Sequence, residues 1–491
     1  MKNLWTLMLG LGIFGIFTSV IVDFVGIGDP GFQSTQSLGI QIGILLALVG
    51  WGLRFMPQTS DDSRPLVQKA LAALDSVLNL PLVVWTLTGF LLVFLVYFIT
   101  PMFFNEDWRM FYFLRYIPDR YPIGNDVTFN TGAIAAWLKG QNPYDFTGHF
   151  YPPLYHLVFA PILLIGFPQT YYLITTLTLI AFAALFIIPF PALRKQKHGA
   201  ITMLFFLTGL VSYGMQFELE RGQFNVIAYL LAALAVYLFQ FQPSFRLLAY
   251  TLWSVSTHIK LYPGIFVLML FSNIRDWKTN LKNLALLGLF NIALLFSLGA
   301  NIFIKFMTAV TYNAGAVKWL FPGNHSLAAF IINIERDGYK QLSKDAILWF
   351  RQNGSIVEIL LMIVMAACFG LVIWRTLKKQ PHLFDADVFM LTTLAGMIIP
   401  SISIDYKLEL LAPAMAFLLA GRKLPAQRWQ KVIFILLVIL VTVAYSLTLV
   451  PYKYRTGILI NAFPMIYIMF LAVTGLNLLN NHYEYDHVPT Q

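Results

Sequence analysis

The sequence predicts an all-helical, polytopic membrane protein, and three observations carry that expectation. The 491 residues are 58% hydrophobic and 11% charged, with a mean hydropathy of +0.70, whereas soluble domains carry about 25% charged residues. Apolar runs close to the ~20 residues that a spanning helix needs recur along the whole chain. Basic residues gather in alternate connecting segments, as orientation in a membrane requires.

Taken in order, spans are expected near 4–26, 38–57, 81–103, 169–191, 200–217, 223–241, 281–303, 354–376, 386–402, 408–421, 431–450 and 457–480. The first follows a single lysine in "MKNLWTLMLGLGIFGIFTSVIV"; it is too long for a signal-peptide core and no small-residue cleavage site follows, so it reads as a retained span. The run 247–272 is interrupted by "THIKLYPG" and reads as two short helices meeting at a break. The proline-flanked piece 154–166 is too short to cross and belongs at the interface or in a re-entrant turn. The total comes to about 12–14 crossings. The single cysteine, Cys368, excludes an intramolecular disulfide.

With the N-terminus inside, the segments carrying Arg54/Arg64/Lys69, Arg194/Lys195/Lys197, Arg275/Lys278/Lys282, Arg375/Lys378/Lys379 and Arg422/Lys423/Arg428/Lys431 all face the cytoplasm. That face collects the net charge of +10 and suits anionic lipid, with no call for nucleic acid. The two longest polar stretches, 104–153 and 304–353, then lie outside. The expected organisation is N-terminal spans and a connector (1–80), a membrane core bearing both external loops (81–420), and C-terminal spans with a short tail (421–491).

A secondary transporter or lipid-linked-sugar flippase is the competing class, but it should show two related halves and paired ionisable groups at mid-span, and neither is legible. A non-catalytic scaffold is a third reading. The "DAD" at Asp385–Asp387 has metal-diphosphate spacing but lacks a nucleotide-binding segment around it, so it reads as a helix start. No phosphate-binding loop of the G-x-x-x-x-G-K-[ST] type is present. "HYEYDH" at 482–487 has metal-binding residue types but reads as a terminal tail, and "DYK" at Asp405–Lys407, external between two spans, reads as an interfacial ion pair rather than as part of an external site.

Polar investment in external loops points to an outward active site mounted on a rigid scaffold. The stretch "GNDVTFNTGAIAAWLKGQNPYDF", with "FYPPLYHLVFAPILLIGFP" after it, resembles the first external loop of the polyprenol-phosphate-mannose-dependent glycosyltransferases of family 87. "ERGQFNVIAYLL" is similar to the family's G-Q-x-N segment, "STHIKLYPGIFVLML" to its K-x-x-P break, and "FPGNHSL" to its N-x-S-L loop, where His325 replaces a frequent glutamine. The likeness runs over roughly residues 80–420 and implies a C-type glycosyltransferase bundle.

It further implies an inverting transfer of a hexose, mannose by analogy, from a polyprenyl-phosphate donor to a lipid or glycan acceptor outside the cell membrane. No cofactor and no metal are expected. The resemblance makes Asp126 the base that takes the acceptor proton; the residues alone read it equally as an N-cap for a helix at 128–138. Lys260, at the break, is the candidate ligand of the donor phosphate, or else a lysine reaching for the interface. His258 and Arg221 are candidate phosphate contacts beside it. Gln223, Asn225, Tyr144, Asn324 and His325 are candidate substrate contacts, against ordinary capping and interfacial roles.

Overall fold

The computed structural model describes residues 4–21, 124–186, 199–271, 276–315, 323–379, 385–420, 428–445 and 461–479 in the main, with 146–148, 168 and 211 left out. The spans expected at 38–57 and 81–103, the first part of loop 104–153, and the tail motif at 482–487 lie outside the described residues. The chain divides into two compact units, residues 1–116 with 192–204, and residues 117–191 with 205–491. In the first, α1 (Leu4–Ile21) carries no charged residue.

The second unit holds the remaining helices: α2 (Asn125–Leu138), α3 (Pro153–Phe159), α4 (Gln169–Leu185), the end of α5 (Gly199–Leu210), α6 (Tyr213–Arg221), α7 (Asn225–Phe241) and α8 (Arg246–Ile259). They are followed by α9 (Trp277–Leu295), α10 (Ala300–Gly315), α11 (Leu327–Asp337), α12 (Lys344–Lys379), α13 (Ala386–Ile398), α14 (Leu411–Ala420), α15 (Arg428–Tyr445) and α16 (Phe463–Leu479). The protein is an all-α polytopic membrane protein.

Its spans are more broken than the hydropathy suggests. Among the described residues only α12 is long and apolar enough to cross alone. Two helix pairs reach that length together but are sharply bent, α6 with α7 by 108° and α9 with α10 by 98°. The expected span 200–217 is therefore corrected: α5 stops at Leu210, and Ser212 starts a new helix by accepting the Met215 amide at 3.1 Å. The expected span 281–303 is likewise split by the turn 296–299, where Gly299 takes φ 91°. Much of the expected loop 304–353 is helix, since α10 runs to Gly315, α11 fills 327–337 and α12 begins at Lys344.

Other expectations match what is seen. Helix α8 ends at Ile259 and a 3₁₀ segment, Tyr262–Met269, resumes beyond the break. The piece 154–166 is α3 followed by a 3₁₀ turn, Ala160–Leu164. Asp385 caps α13 by accepting the amides of Asp387 and Val388, so "DAD" is a helix start.

Packing follows membrane rules, where close backbone approach and polar contacts between helices replace the drive to leave water. Helix α7 turns Ala228, Ala232, Ala233 and Ala235 inward. Against this face Ser256 of α8 donates to the Ala228 carbonyl at 2.5 Å. Val127, Tyr155, Tyr171, Phe224 and Ile259 close a buried cluster that joins α2, α3, α4, α7 and α8. That cluster is the platform on which the polar residues of the next section stand.

Candidate functional site

The site is assembled where helices break. Gly222 ends α6 in the left-handed conformation at φ 68°, which turns the chain toward α7. A Cβ there would collide with Val127 Cγ2, so α2 packs directly on this turn. The Gly124 amide donates to the Glu220 carbonyl at 2.7 Å and ties the start of α2 to α6. These contacts bring Asp126, Arg221 and Gln223 together.

Asp126 is not a helix cap. Gly124 occupies the cap position of α2, in the left-handed region and without a side-chain cap bond, and Asp126 lies in the first turn. Its carboxylate instead accepts from Gln223 Nε2 on one oxygen, while Arg221 Nη1 stands 3.6 Å from the other. Arg221 also pairs with Glu220, at 3.2 Å, and lies over the Phe217 ring. The Asp126 side chain keeps 27% of its exposure, so a substrate can reach it.

Lys260 follows α8 in an extended conformation. Its ammonium donates to the Tyr151 hydroxyl at 2.7 Å and to Gln223 Oε1 at 2.5 Å. It also lies 4.6 Å from the centre of the Tyr151 ring and 5.8 Å from that of Tyr406. Among the described residues no carboxylate forms an ion pair with it. A partly buried ammonium whose hydrogen-bond partners are neutral oxygens suits an anion better than it suits a structural salt bridge.

Tyr151, which the sequence reading passed over, is the centre of this arrangement. Its ring stacks on Tyr155 at 4.4 Å, and its hydroxyl meets Gln223 Oε1 at 3.4 Å. Tyr144, expected at the substrate, holds Tyr151 by donating to its carbonyl at 2.9 Å. On either side of Tyr151 in sequence, His149 and His156 meet through their Nε2 atoms at 3.0 Å, both buried. The Pro153 carbonyl lies 3.2 Å from His156 Nδ1 and can only accept, so the proton of neutral His156 sits on Nδ1 and its Nε2 receives. Burial pulls His149 down to about 3, with His156 adding to the effect, so His149 stays neutral. The pair clamps both ends of "HFYPPLYH" and with them Tyr151. An aromatic before Pro-Pro at a helix start was the available signal.

Other expected contacts stand elsewhere. Asn225 is fully buried at the start of α7, where Glu218 accepts its amide at 2.6 Å, its side-chain NH₂ at 2.8 Å and the Val226 amide at 3.2 Å. Glu218, also unmarked by the sequence reading, thus serves the open end of α7. His258 is buried on α8 beside Asn291 of α9. Asn324 and His325 belong to a buried knot: His325 Nδ1 accepts the Ala462 amide at 2.9 Å, and Nε2 faces Asp405 Oδ1 at 2.7 Å. Asn324 Oδ1 accepts the Ser403 amide at 2.8 Å, and Tyr213 donates to Asp405 Oδ2 at 3.1 Å. The ion pair expected between Asp405 and Lys407 is replaced by this knot, and Lys407 donates to the Ile402 carbonyl at 2.9 Å.

The family model of Glycosyltransferase family 87 matches residues 149–400, from His149 through Tyr151, Arg221, Gln223 and Lys260 to the end of the 386–400 segment. The chain belongs to glycosyltransferase family 87. It is therefore a membrane glycosyltransferase, with a sugar donor and an acceptor as substrates. The transporter alternative gives way to this membership. Asp126 stands upstream of the matched residues, joined to them by Gln223 and Arg221. No curated protein and no solved structure matches the chain.

Proposed function

We propose that this family 87 enzyme transfers a hexose, mannose by family analogy, from a polyprenyl-phosphate donor to a hydroxyl of a lipid or glycan acceptor. The single observation that supports it most is Lys260, an ammonium with no carboxylate partner among the described residues, joined through one glutamine to a reachable carboxylate. The acceptor oxygen attacks the anomeric carbon as the bond to the phosphate oxygen breaks, with inversion. Asp126 takes the acceptor proton, and the polyprenyl phosphate leaves toward Lys260. Arg221 stands 3.6 Å from the carboxylate oxygen that Gln223 leaves open.

The test of the donor is Lys260→Gln. A charge-assisted hydrogen bond is worth about 1.5–3 kcal/mol, so affinity for a polyprenyl-phosphate hexose should fall about 10–100-fold, as measured by direct binding in detergent. Unchanged binding by a folded variant would return Lys260 to an interfacial role.

The site faces outward across the cell membrane in this reading, and the basic segments support that orientation. In a Cys368→Ala background, cysteines at Gln141 and Ser343, both exposed, should react with an impermeant thiol reagent in intact cells. A cysteine at Lys378, at the other end of α12, should react only after lysis. Labelling of Lys378→Cys in intact cells, or protection of Gln141→Cys, would reverse the orientation.

A further inference from the structure

Gln223 uses the two ends of one amide for opposite charges. Its Nε2 donates to the Asp126 carboxylate, and its Oε1 accepts from the Lys260 ammonium at 2.5 Å and from Tyr151. The reverse orientation would set oxygen against carboxylate and NH₂ against ammonium, so the charges fix the amide as it stands. The residue is buried, at 3% exposure. We infer that Gln223 is a positioning residue, a neutral spacer that keeps Asp126 and Lys260 from closing into an ion pair.

The inference rests on the phosphate and base roles proposed above and deepens them. A carboxylate paired with an ammonium is a poorer base, and an ammonium paired with a carboxylate is a poorer phosphate ligand. Arg221 cannot take over the spacing, because its guanidinium is shared between Asp126 and Glu220. With the amide between them, both charges are solvated and each is left for its own substrate group. Tyr151 completes the partition by giving Lys260 a second neutral oxygen at 2.7 Å.

The consequence is a rescue that no merely structural role would give. The readout is binding of farnesyl phosphate, which carries the phosphate without a sugar. Gln223→Met fills the same space without polarity and lets Lys260 reach Asp126, so affinity should fall about tenfold or more. Adding Asp126→Asn removes the competing charge, and the double variant should recover to within about threefold of wild type.

Gln223→Glu supplies a second arm that keeps a polar group at the position. The new carboxylate, surrounded by Asp126, Arg221, Lys260 and Tyr151, holds the ammonium itself, so Asp126→Asn should not rescue it. Lowering the pH to protonate that carboxyl should. Wild-type binding that matches Gln223→Met, or a loss that neither Asp126→Asn nor low pH relieves in its respective variant, overturns the spacer. Absence of farnesyl phosphate binding by the wild type overturns the phosphate site, and the spacer with it.

Discussion

An Asp126→Asn enzyme should fold normally, bind its donor normally and turn over about 10²–10⁴-fold more slowly. The structure sharpens this test, because Asp126 does not cap α2 and its contact with Arg221 is long, at 3.6 Å, and partly exposed. Losing that pair costs at most about 1 kcal/mol. Asparagine still accepts from Gln223, so the local bonding pattern survives, while an amide cannot take a proton from the acceptor hydroxyl. The measurements are the transfer rate, donor affinity and unfolding midpoint of the purified variant. Turnover near wild type would move the base elsewhere, with Asp107, Asp119 and Asp145 of the same loop next in line. A matching loss of donor affinity would instead mark Asp126 as part of the donor site.

His325→Leu should cost more stability than any change in the site itself. It leaves the Oδ1 oxygen of the Asp405 carboxylate, 2% exposed, without its His325 donor and the Ala462 amide without its acceptor. Each buried group left without its hydrogen-bond partner costs about 1–3 kcal/mol, more for a charged one. His325→Gln should stay within about 1 kcal/mol of wild type, since a glutamine can accept at Oε1 and donate at Nε2 much as this imidazole does. Unfolding midpoints in detergent separate the two. If His325→Leu is as stable as wild type but inactive, the residue contacts substrate, as its motif first suggested.

That contrast shows where the sequence was legible. Asp126 and Lys260 stood out because a charge in an apolar chain needs a reason, and the proline after Lys260 announced the break. Tyr151 did not stand out, being one aromatic in a chain with 23 tyrosines and 43 phenylalanines. His325 was placed with the substrate because its partners are remote: Asp405 is 80 residues away and Ala462 is 137. The splits before Ser212 and at 296–299 were invisible for a different reason. Hydropathy sums across a turn, and serine or glycine can sit inside a continuous helix as readily as end one.

The polar load on α6 bears on how the chain enters the membrane at all. Nine residues carry Gln216, Glu218, Glu220 and Arg221, and each charged side chain at mid-bilayer costs about 2.5–3.5 kcal/mol at insertion. The segment is too short and too polar to partition by itself, so it must ride in with the apolar helix α7 that follows. Its lasting neighbour is the 3₁₀ segment Asp405–Leu410: Gly214 lies so near that a Cβ would stand 2.8 Å from the Glu409 amide, and Tyr213 bonds Asp405 across 192 residues. During synthesis the face of α6 that carries Tyr213 and Gly214 therefore lacks this neighbour until the later segment has emerged. The packing of α6 is thus completed late in biogenesis, when the 405–410 segment reaches Tyr213 and Gly214.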